Sequence, residues 1–273
     1  MEKTMSVQST QPDEKSAPSG SAATHCYAPN VPKIISFSGG RSSGMMLIKM
    51  AELNQLDNAV IAFSDTGREH SECYEFVNEV EAFIGKPIVR LEFPGKFDAL
   101  LAKHHALPNV MMRFCTEELK VLPMRKLMYQ LGNDHYSNVI GFRADEQNRV
   151  AKKREPIEFR YQKKPISYDF EFPLYHWGIT KRDVLEFWKK MPFDLRSPMG
   201  DSNCIMCPLK GFGLKVALAQ YNHHFADIWV EDERKYKATY NKEYSIADVL
   251  EFATRQQSFD FSAGDSTHCG CTD

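Results

Sequence analysis

From Val31 onward the chain alternates short apolar runs with amphipathic stretches. Residues 33–37, 59–63, 88–93 and 138–142 are apolar runs too short for helices, and they predict strands. Between them, residues 44–56, 71–84, 96–105 and 116–131 repeat apolar side chains at helical spacing. Strand alternating with helix predicts an α/β fold: a three-layer, doubly wound, mainly parallel sheet with helices on both faces. In such sheets ligands sit beyond the carboxyl ends of the strands.

After Arg143 the pattern weakens. Residues 144–168 are charged and carry Pro156 and Pro165, which predicts a mobile insertion. Residues 170–174 predict another strand. Thr180, with Asp183 three residues on, predicts a capped helix start. Residues 192–213 are turn-rich, and helical spacing returns over 214–231 and 246–255. Residues 1–30 are rich in Ser, Thr, Gln, Pro and Gly, the composition of a disordered tail. The expected organisation is a tail (1–30), an α/β domain (31–195), a helical cysteine-bearing extension (196–256) and a mobile cysteine-containing tail (257–273).

Composition narrows this picture. With 273 residues and 42% hydrophobic content, one large domain can bury a sizeable core. The formal net charge of −2 gives no general case for nucleic-acid binding. Basic clusters at Lys152-Lys153-Arg154 and Lys163-Lys164, with Arg160 between, fit a solvated face. No apolar stretch approaches the roughly 20 residues that span a bilayer, and the first residues hold no signal-peptide core. The expected compartment is the cytoplasm, with no membrane partner. The seven cysteines cluster near motifs, which in a reducing compartment points to metal or redox chemistry more than to disulfides.

The richest segment is Ser36-Phe37-Ser38-Gly39-Gly40-Arg41-Ser42-Ser43-Gly44. Strand, Gly/Ser turn and helix together aim backbone N–H groups at an anion. It is neither a Walker loop nor the dinucleotide G-x-G-x-x-G pattern. Asp65-Thr66-Gly67-Arg68-Glu69 ends a second strand. Arg113-Phe114-Cys115-Thr116 leads to Lys120 and Pro123. Gly141-Phe142-Arg143-Ala144-Asp145-Glu146 and Arg149 sit at a further strand end, where arginines suit phosphate or sulfate. Cys204-Ile205-Met206-Cys207-Pro208 suits thiolate ligation at a turn. By its own pattern it fits an iron–sulfur cluster, zinc or a redox dithiol. The pairs His104-His105 and His223-His224 are expected non-ligands, because neighbours on a helix point about 100° apart. Trp177, Trp188 and Trp229 are expected core or groove aromatics, and Cys26 and Cys73 incidental thiols.

The ordered set Ser38-Gly39-Gly40-x-Ser42-Ser43, Asp65-Thr66-Gly67-x-Glu69, Cys115-Thr116-x-x-Leu119-Lys120-x-x-Pro123, Gly141-x-Arg143-x-x-Glu146 and Pro173-Leu174-x-x-Trp177 resembles the PAPS reductase family. That family belongs to the PP-loop superfamily, and the resemblance runs from about Lys33 to Pro208. It implies a Rossmann-like PP-loop domain that binds an adenine nucleotide (PAPS, APS or ATP). Ser36, Ser38, Gly39, Gly40, Ser42 and Ser43 would cradle phosphate or sulfate. Thr66, Gly67 and Glu69 would border the adenosine. Lys120, Arg143 and Arg149 would neutralise charge, Lys120 and Arg143 also in catalysis.

Two branches are similar. Sulfonucleotide reductases release sulfite with a cysteine on a C-terminal tail, which implies Cys269 as the nucleophile and a thioredoxin- or glutaredoxin-like reductant. ATP-dependent sulfur transferases modify nucleic acid or a small molecule and often carry a 4Fe–4S cluster. This implies Cys115, Cys204, Cys207 and Cys271 as metal ligands, with zinc as the alternative and magnesium accompanying ATP. The chain departs from the family at Ser42, where Asp is usual, and at Phe114, where cluster-bearing reductases have a second Cys. A third reading is a nucleotide-binding regulator without turnover. A homo-oligomer is expected.

Overall fold

Both faces of the run Lys33–Phe37 are covered, which makes it the central strand β1: Ile34 and Ile35 are fully buried on opposite sides. The structure is a computed structural model and describes residues 31–92, 95–200, 202 and 204–255. Cys26, Cys269 and Cys271 lie outside the described residues.

From β1 the chain turns into α1 (Arg41–Glu52), then β2 (Ala59–Asp65), α2 (Ser71–Ile84), β3 (Ile88–Glu92) and α3 (Lys96–His104). A continuous helical stretch follows: α4 (Phe114–Thr116), a π-helical turn (Glu117–Val121) and α5 (Leu122–Leu131). Pro123 lacks an N–H and would clash with the carbonyl four residues back in an unbroken α-helix, and the wider turn accommodates it. Next come β4 (His135–Ile140), α6 (Gln147–Ala151), β5 (Ile157–Tyr161) and β6 (Lys164–Glu171). The chain ends in α7 (Pro173–His176), α8 (Lys181–Trp188), α9 (Phe212–Tyr221), α10 (Asp227–Tyr236) and α11 (Ile246–Arg255).

The strands form one sheet in the order β3-β2-β1-β4-β6-β5. Every pairing is parallel except β5 with β6. One face packs Ile35 and Phe37 against Met46, Phe76 and Trp188 of the covering helices. The other packs Ile34 against Met128, Tyr136 and Tyr168. A third cluster joins α3 to the last helices through Leu100, Leu119, Trp229 and Tyr240. The fold is thus the expected layered α/β sheet, and Trp188 and Trp229 are core residues. The capping box at Thr180 and Asp183 forms as its spacing predicts. Among the described residues no helix is long and apolar enough to cross a membrane.

Two expectations need correction. Residues 144–168 are no loose insertion: they supply α6 and the β5–β6 hairpin that extends the sheet. Pro156 lies just before β5, and Pro165 sits where β6 pairs only with β5, because pairing with β4 starts at Ser167. Neither proline therefore interrupts a two-sided ladder. The helix expected over 214–231 breaks at Asn222, whose extended backbone ends α9 and whose side chain accepts from the His224 N–H at 3.1 Å.

The order of strands places the site. The connection from β1 leads to β2 on one side, whereas β4 lies on the other, so the loops leaving β1 and β4 diverge. That divergence opens the crevice where doubly wound sheets bind ligands.

Candidate nucleotide cleft and thiol cavity

The loop after β1 is built around two glycines with different needs. Gly39 has φ +72°, and a Cβ there would meet the Cys73 Sγ at 2.6 Å. Gly40 has an ordinary extended backbone, but a Cβ would meet the Ser202 Oγ at 2.6 Å. Within the loop the Ser38 N–H donates to the Ser43 Oγ at 3.3 Å, the two hydroxyls lie 3.0 Å apart, and the Ser43 hydroxyl donates to the Gly40 carbonyl at 3.1 Å. No side chain caps the N-terminus of α1 and no acid lies in its first turn. Its N–H groups and dipole are left to an incoming anion.

Two cavities meet around this loop, and a third adjoins the first. A cleft of about 120 Å³ opens over the carboxyl ends of β1 and β4, lined by Ser36, Ser38, Asn138, Met124, Met128, Tyr168 and Phe170 among others. Its charged lining is Glu69, Lys120, Arg125 and Lys153. A second chamber of about 230 Å³ lies against the start of α1, where Ser42 and Ser43 are joined by Arg41, Arg149 and Lys181 and, among the described residues, by no acid. Ser36, Ser38, Ile140 and Ser202 line both. An apolar slot next to a cation-lined chamber suits a flat base with an anionic tail. The third cavity, about 30 Å³, is lined by Cys115, Cys204 and Cys207 with Thr66, Arg113, Thr116 and Lys120. Thr116 and Lys120 border this cavity and the cleft alike, because they stand four residues apart on the bulged helix.

The expected site residues divide accordingly. Ser36, Ser38, Gly40, Ser42, Ser43, Arg149, Glu69 and Lys120 converge on the cleft and chamber. Gly39 shapes the loop from beneath. Gly67 does not reach the adenosine side: it turns outward at φ +79°, against Lys96. Thr66 also faces elsewhere, its hydroxyl donating to Glu69 Oε1 at 2.6 Å and lying 3.2 Å from the Cys204 Sγ. Arg143, expected to neutralise a ligand, is already neutralised. It is buried, pairs with Asp145 at 3.0 Å and Glu146 at 3.3 Å, and donates to the Ser42 Oγ at 3.0 Å. The last of these bonds fixes the Ser42 hydroxyl at the chamber wall. Arg149 pairs with Glu146 at 2.6 Å and lies over the Phe142 ring at 4.0 Å, which leaves it at the chamber edge.

Glu69 ties the strand end together, accepting from the Thr66 N–H at 3.2 Å, the Arg68 N–H at 3.2 Å and the Tyr74 hydroxyl at 3.2 Å. Burial, then the charges of Glu69 and Asp65, push the Tyr74 hydroxyl far above its ordinary range, so it stays a donor. Asp65 accepts from the Gly67 N–H and Tyr74 at 2.8 Å each and pairs with Lys96 at 2.5 Å. That hydrogen bond raises the Lys96 pKa.

Asn138, Lys153, Lys181 and Ser202 had no motif to announce them, and Arg41 stood at the unspecified position of the loop motif. Lys153 lay hidden in a basic run of the kind that usually faces solvent, and Ser202 carries no sequence signal at all.

Soft thiolate donors suit a cluster or zinc, and Cys115, Cys204 and Cys207 share one small cavity. Their chemistry fits such a group. Among the described residues, however, no three His, Cys, Asp or Glu side chains are gathered to hold a metal ion. The thiols surround a place without closing on it.

A model of the phosphoadenosine phosphosulfate reductase domain matches residues 32–195. The chain belongs to this family. Among its relatives is the nin region protein ORF290 of Escherichia phage lambda, 32% identical over 213 residues, covering 68% of each chain. Protein MJ0066 of Methanocaldococcus jannaschii is 27% identical over 215 residues, covering 77% of this chain and 43% of its own length. The chain thus spans less than half of the archaeal relative. Among solved structures, the PAPS reductase of Candida auris in its phosphate complex aligns over 64% of this chain and 81% of its own, with TM-score 0.42 and 15% identity. The U34-tRNA thiolase NcsA of Methanococcus maripaludis, with its 4Fe–4S cluster, aligns over 83% and 71%, with TM-score 0.43 and 14% identity. In this PAPS reductase family member, Ser202, Cys204 and Cys207 lie beyond the matched residues.

Proposed function

We propose that this protein performs sulfur chemistry on an adenine nucleotide, as a PAPS reductase-like enzyme. The observation that carries the reading is the shared wall: Thr116 and Lys120 border both the nucleotide cleft and the thiol cavity. Base and ribose occupy the apolar cleft. The phosphate or sulfate group lies at the start of α1, held by Ser38, Ser42, Ser43 and the backbone, with Lys181 supplying positive charge beside Arg149 and Arg41, which are already paired with Glu146 and Asp194.

The favoured reaction is reduction of a sulfonucleotide. A thiolate attacks the sulfuryl sulfur, the S–O bond to the phosphate breaks, and the adenosine phosphate leaves with that bonding pair. A second thiol then attacks the cysteine S-sulfonate, forming a disulfide and releasing sulfite. The two electrons come from the thiols and are restored by an external dithiol. Lys120 sits where it offsets charge on the departing phosphate, and Cys269 is the attacking residue in this reading. The grouping of Cys115, Cys204 and Cys207 favours a second reading, an ATP-dependent sulfur transferase. An acceptor oxygen attacks the α-phosphorus of ATP, pyrophosphate leaves, and a sulfur nucleophile then displaces AMP. A thiolate-held 4Fe–4S cluster on these three residues alone would leave one iron open to sulfide, the place that Cys271 would take as a fourth ligand.

Anaerobically purified protein decides between them. Sulfite release from PAPS or APS with a dithiol, lost in Cys269→Ser, supports reduction. Pyrophosphate release from ATP on adding tRNA or DNA, without sulfite release, supports transfer. Failure of ATP, AMP, APS and PAPS alike to raise the melting temperature sinks the nucleotide reading.

A further inference from the structure

Ser202 is the one described residue from beyond the family-matched region that borders both the cleft and the anion chamber. Two features place it against the phosphate loop. Gly40 has a backbone any residue can adopt, φ −109° and ψ 164°, so its lack of a side chain answers to space and not to conformation. The space is taken by Ser202: an added Cβ would lie 2.6 Å from its Oγ and 3.3 Å from its Cβ, with the Ser38 Oγ next at an ordinary 3.6 Å. Beneath, the fully buried Cys73 thiol lies within hydrogen-bonding reach of both the Gly39 carbonyl at 3.5 Å and the Ser202 carbonyl at 3.7 Å. One side chain thereby ties the two segments together.

The hydroxyl so placed stands beside the first turn of α1, in a chamber whose charged lining among the described residues is Arg41, Arg149 and Lys181. A small donor in such surroundings recognises an anionic oxygen. We propose that Ser202 donates a hydrogen bond to the phosphoryl or sulfuryl group of the bound nucleotide, completing from outside the family's own motifs the cradle formed by Ser38, Ser42 and Ser43. The inference rests on the nucleotide reading above. It adds a consequence: Cys204 follows two residues later, and its turn is fixed by the Ile205 N–H donating to the Arg68 carbonyl at 2.9 Å and by Lys210 donating to the Cys204 and Ile205 carbonyls at 2.8 and 2.9 Å. The same short segment therefore contacts the nucleotide's anion and carries a thiol of the adjoining cavity.

Calorimetric titration of the full chain with ATP, AMP and adenosine tests this. A hydrogen bond to a charged group predicts that Ser202→Ala binds ATP and AMP roughly ten- to a hundredfold more weakly. Adenosine, which has no phosphate, should keep its affinity within about twofold, and Ser202→Thr should recover most of the loss. Melting temperatures of the unliganded variants, matching wild type, show that the fold is intact. If Ser202→Ala weakens adenosine as much as ATP, or changes neither, the assignment is overturned while the nucleotide reading stands. If wild-type protein binds ATP no more tightly than adenosine, the anion chamber itself is misread and both fall.

Discussion

At the scale of single residues, the phosphate loop depends on atoms that are missing. Gly39 must hold a left-handed backbone and also leave room for the Cys73 sulfur and the Phe63 ring, which a Cβ would meet at 2.6 and 3.1 Å. Left-handed backbone costs an ordinary residue about 1–2 kcal/mol, and forcing a methyl into a filled core adds about 1–3 kcal/mol. Gly39→Ala is therefore expected to lose about 2–4 kcal/mol in urea unfolding. A loss below about 0.5 kcal/mol, the range of neutral surface changes, would show that the loop relaxes freely. The glycines were legible in the sequence as a sign of close approach, but not what approaches. A sulfur that reads as incidental and a serine outside every motif turn out to be the neighbours. Arg143 carries the same lesson in reverse: the residue type was legible, but the acids that claim its charge, Asp145 and Glu146, became its partners only through the turn after β4.

At the scale of elements, periodicity located strands and helices well where one pattern ran without a break. Residues 33–37, 71–84 and 246–255 coincide with β1, α2 and α11. It was least informative where prolines and charges obscured a strand. The β5–β6 hairpin buries one face only, so half of its positions are polar and Ile166 and Tyr168 are its buried residues. The π-helical turn was equally silent in the sequence, since five consecutive residues are too few to reveal a widened turn. That turn has a measurable electrostatic signature. Glu118 lies within it and is gripped from α3 by Lys103 and His104. Burial pushes the Glu118 carboxyl up, but those two hydrogen bonds outweigh it and hold the group below its ordinary 4.5. A folded pKa below the unfolded one adds stability above pH 4.5, and this is lost as pH falls through the folded value. Glu118→Gln is expected to flatten the acid limb of the stability curve below that pH and to lower stability at neutral pH. Urea melts at a series of pH values check this, and an unchanged acid limb would remove Glu118 from the explanation.

At the scale of the whole molecule, Arg68 fastens the sheet to the last helices. It is 4% exposed, pairs with Asp98 and with Asp232 at 3.0 Å, and lies over the Phe97 and Trp229 rings at 5.0 and 5.4 Å. Breaking a buried pair from one side costs about 3–5 kcal/mol, because the other charge is left in the interior, and Arg68→Ala is expected to cost that much. The sign with pH follows from Asp232. Burial pushes its pKa up, while Arg68 and the Tyr240 hydrogen bond pull it down without fully offsetting burial. A folded pKa above the ordinary 3.8 means that its contribution falls as pH rises through that window. Without Arg68 the rise is larger, so the cost of Arg68→Ala should shrink on acidification; equal cost at both pH values would assign the loss to packing over Phe97 and Trp229. The layered architecture was legible in the alternation of elements, yet the assembly of the site from distant segments was not, since Ser202 reaches the cleft, and the cysteine turn the adjoining cavity, only through contacts of this long-range kind. The far edge of the sheet raises a different matter. Among the described residues strand β5 pairs on one side only, and along it Glu158 and Arg160 alternate with Ile157, Phe159 and Tyr161. An open edge invites a neighbouring molecule to add its own strand, and charged side chains along it are the usual deterrent. By that rule the two charges would help to keep crowded copies of the chain apart.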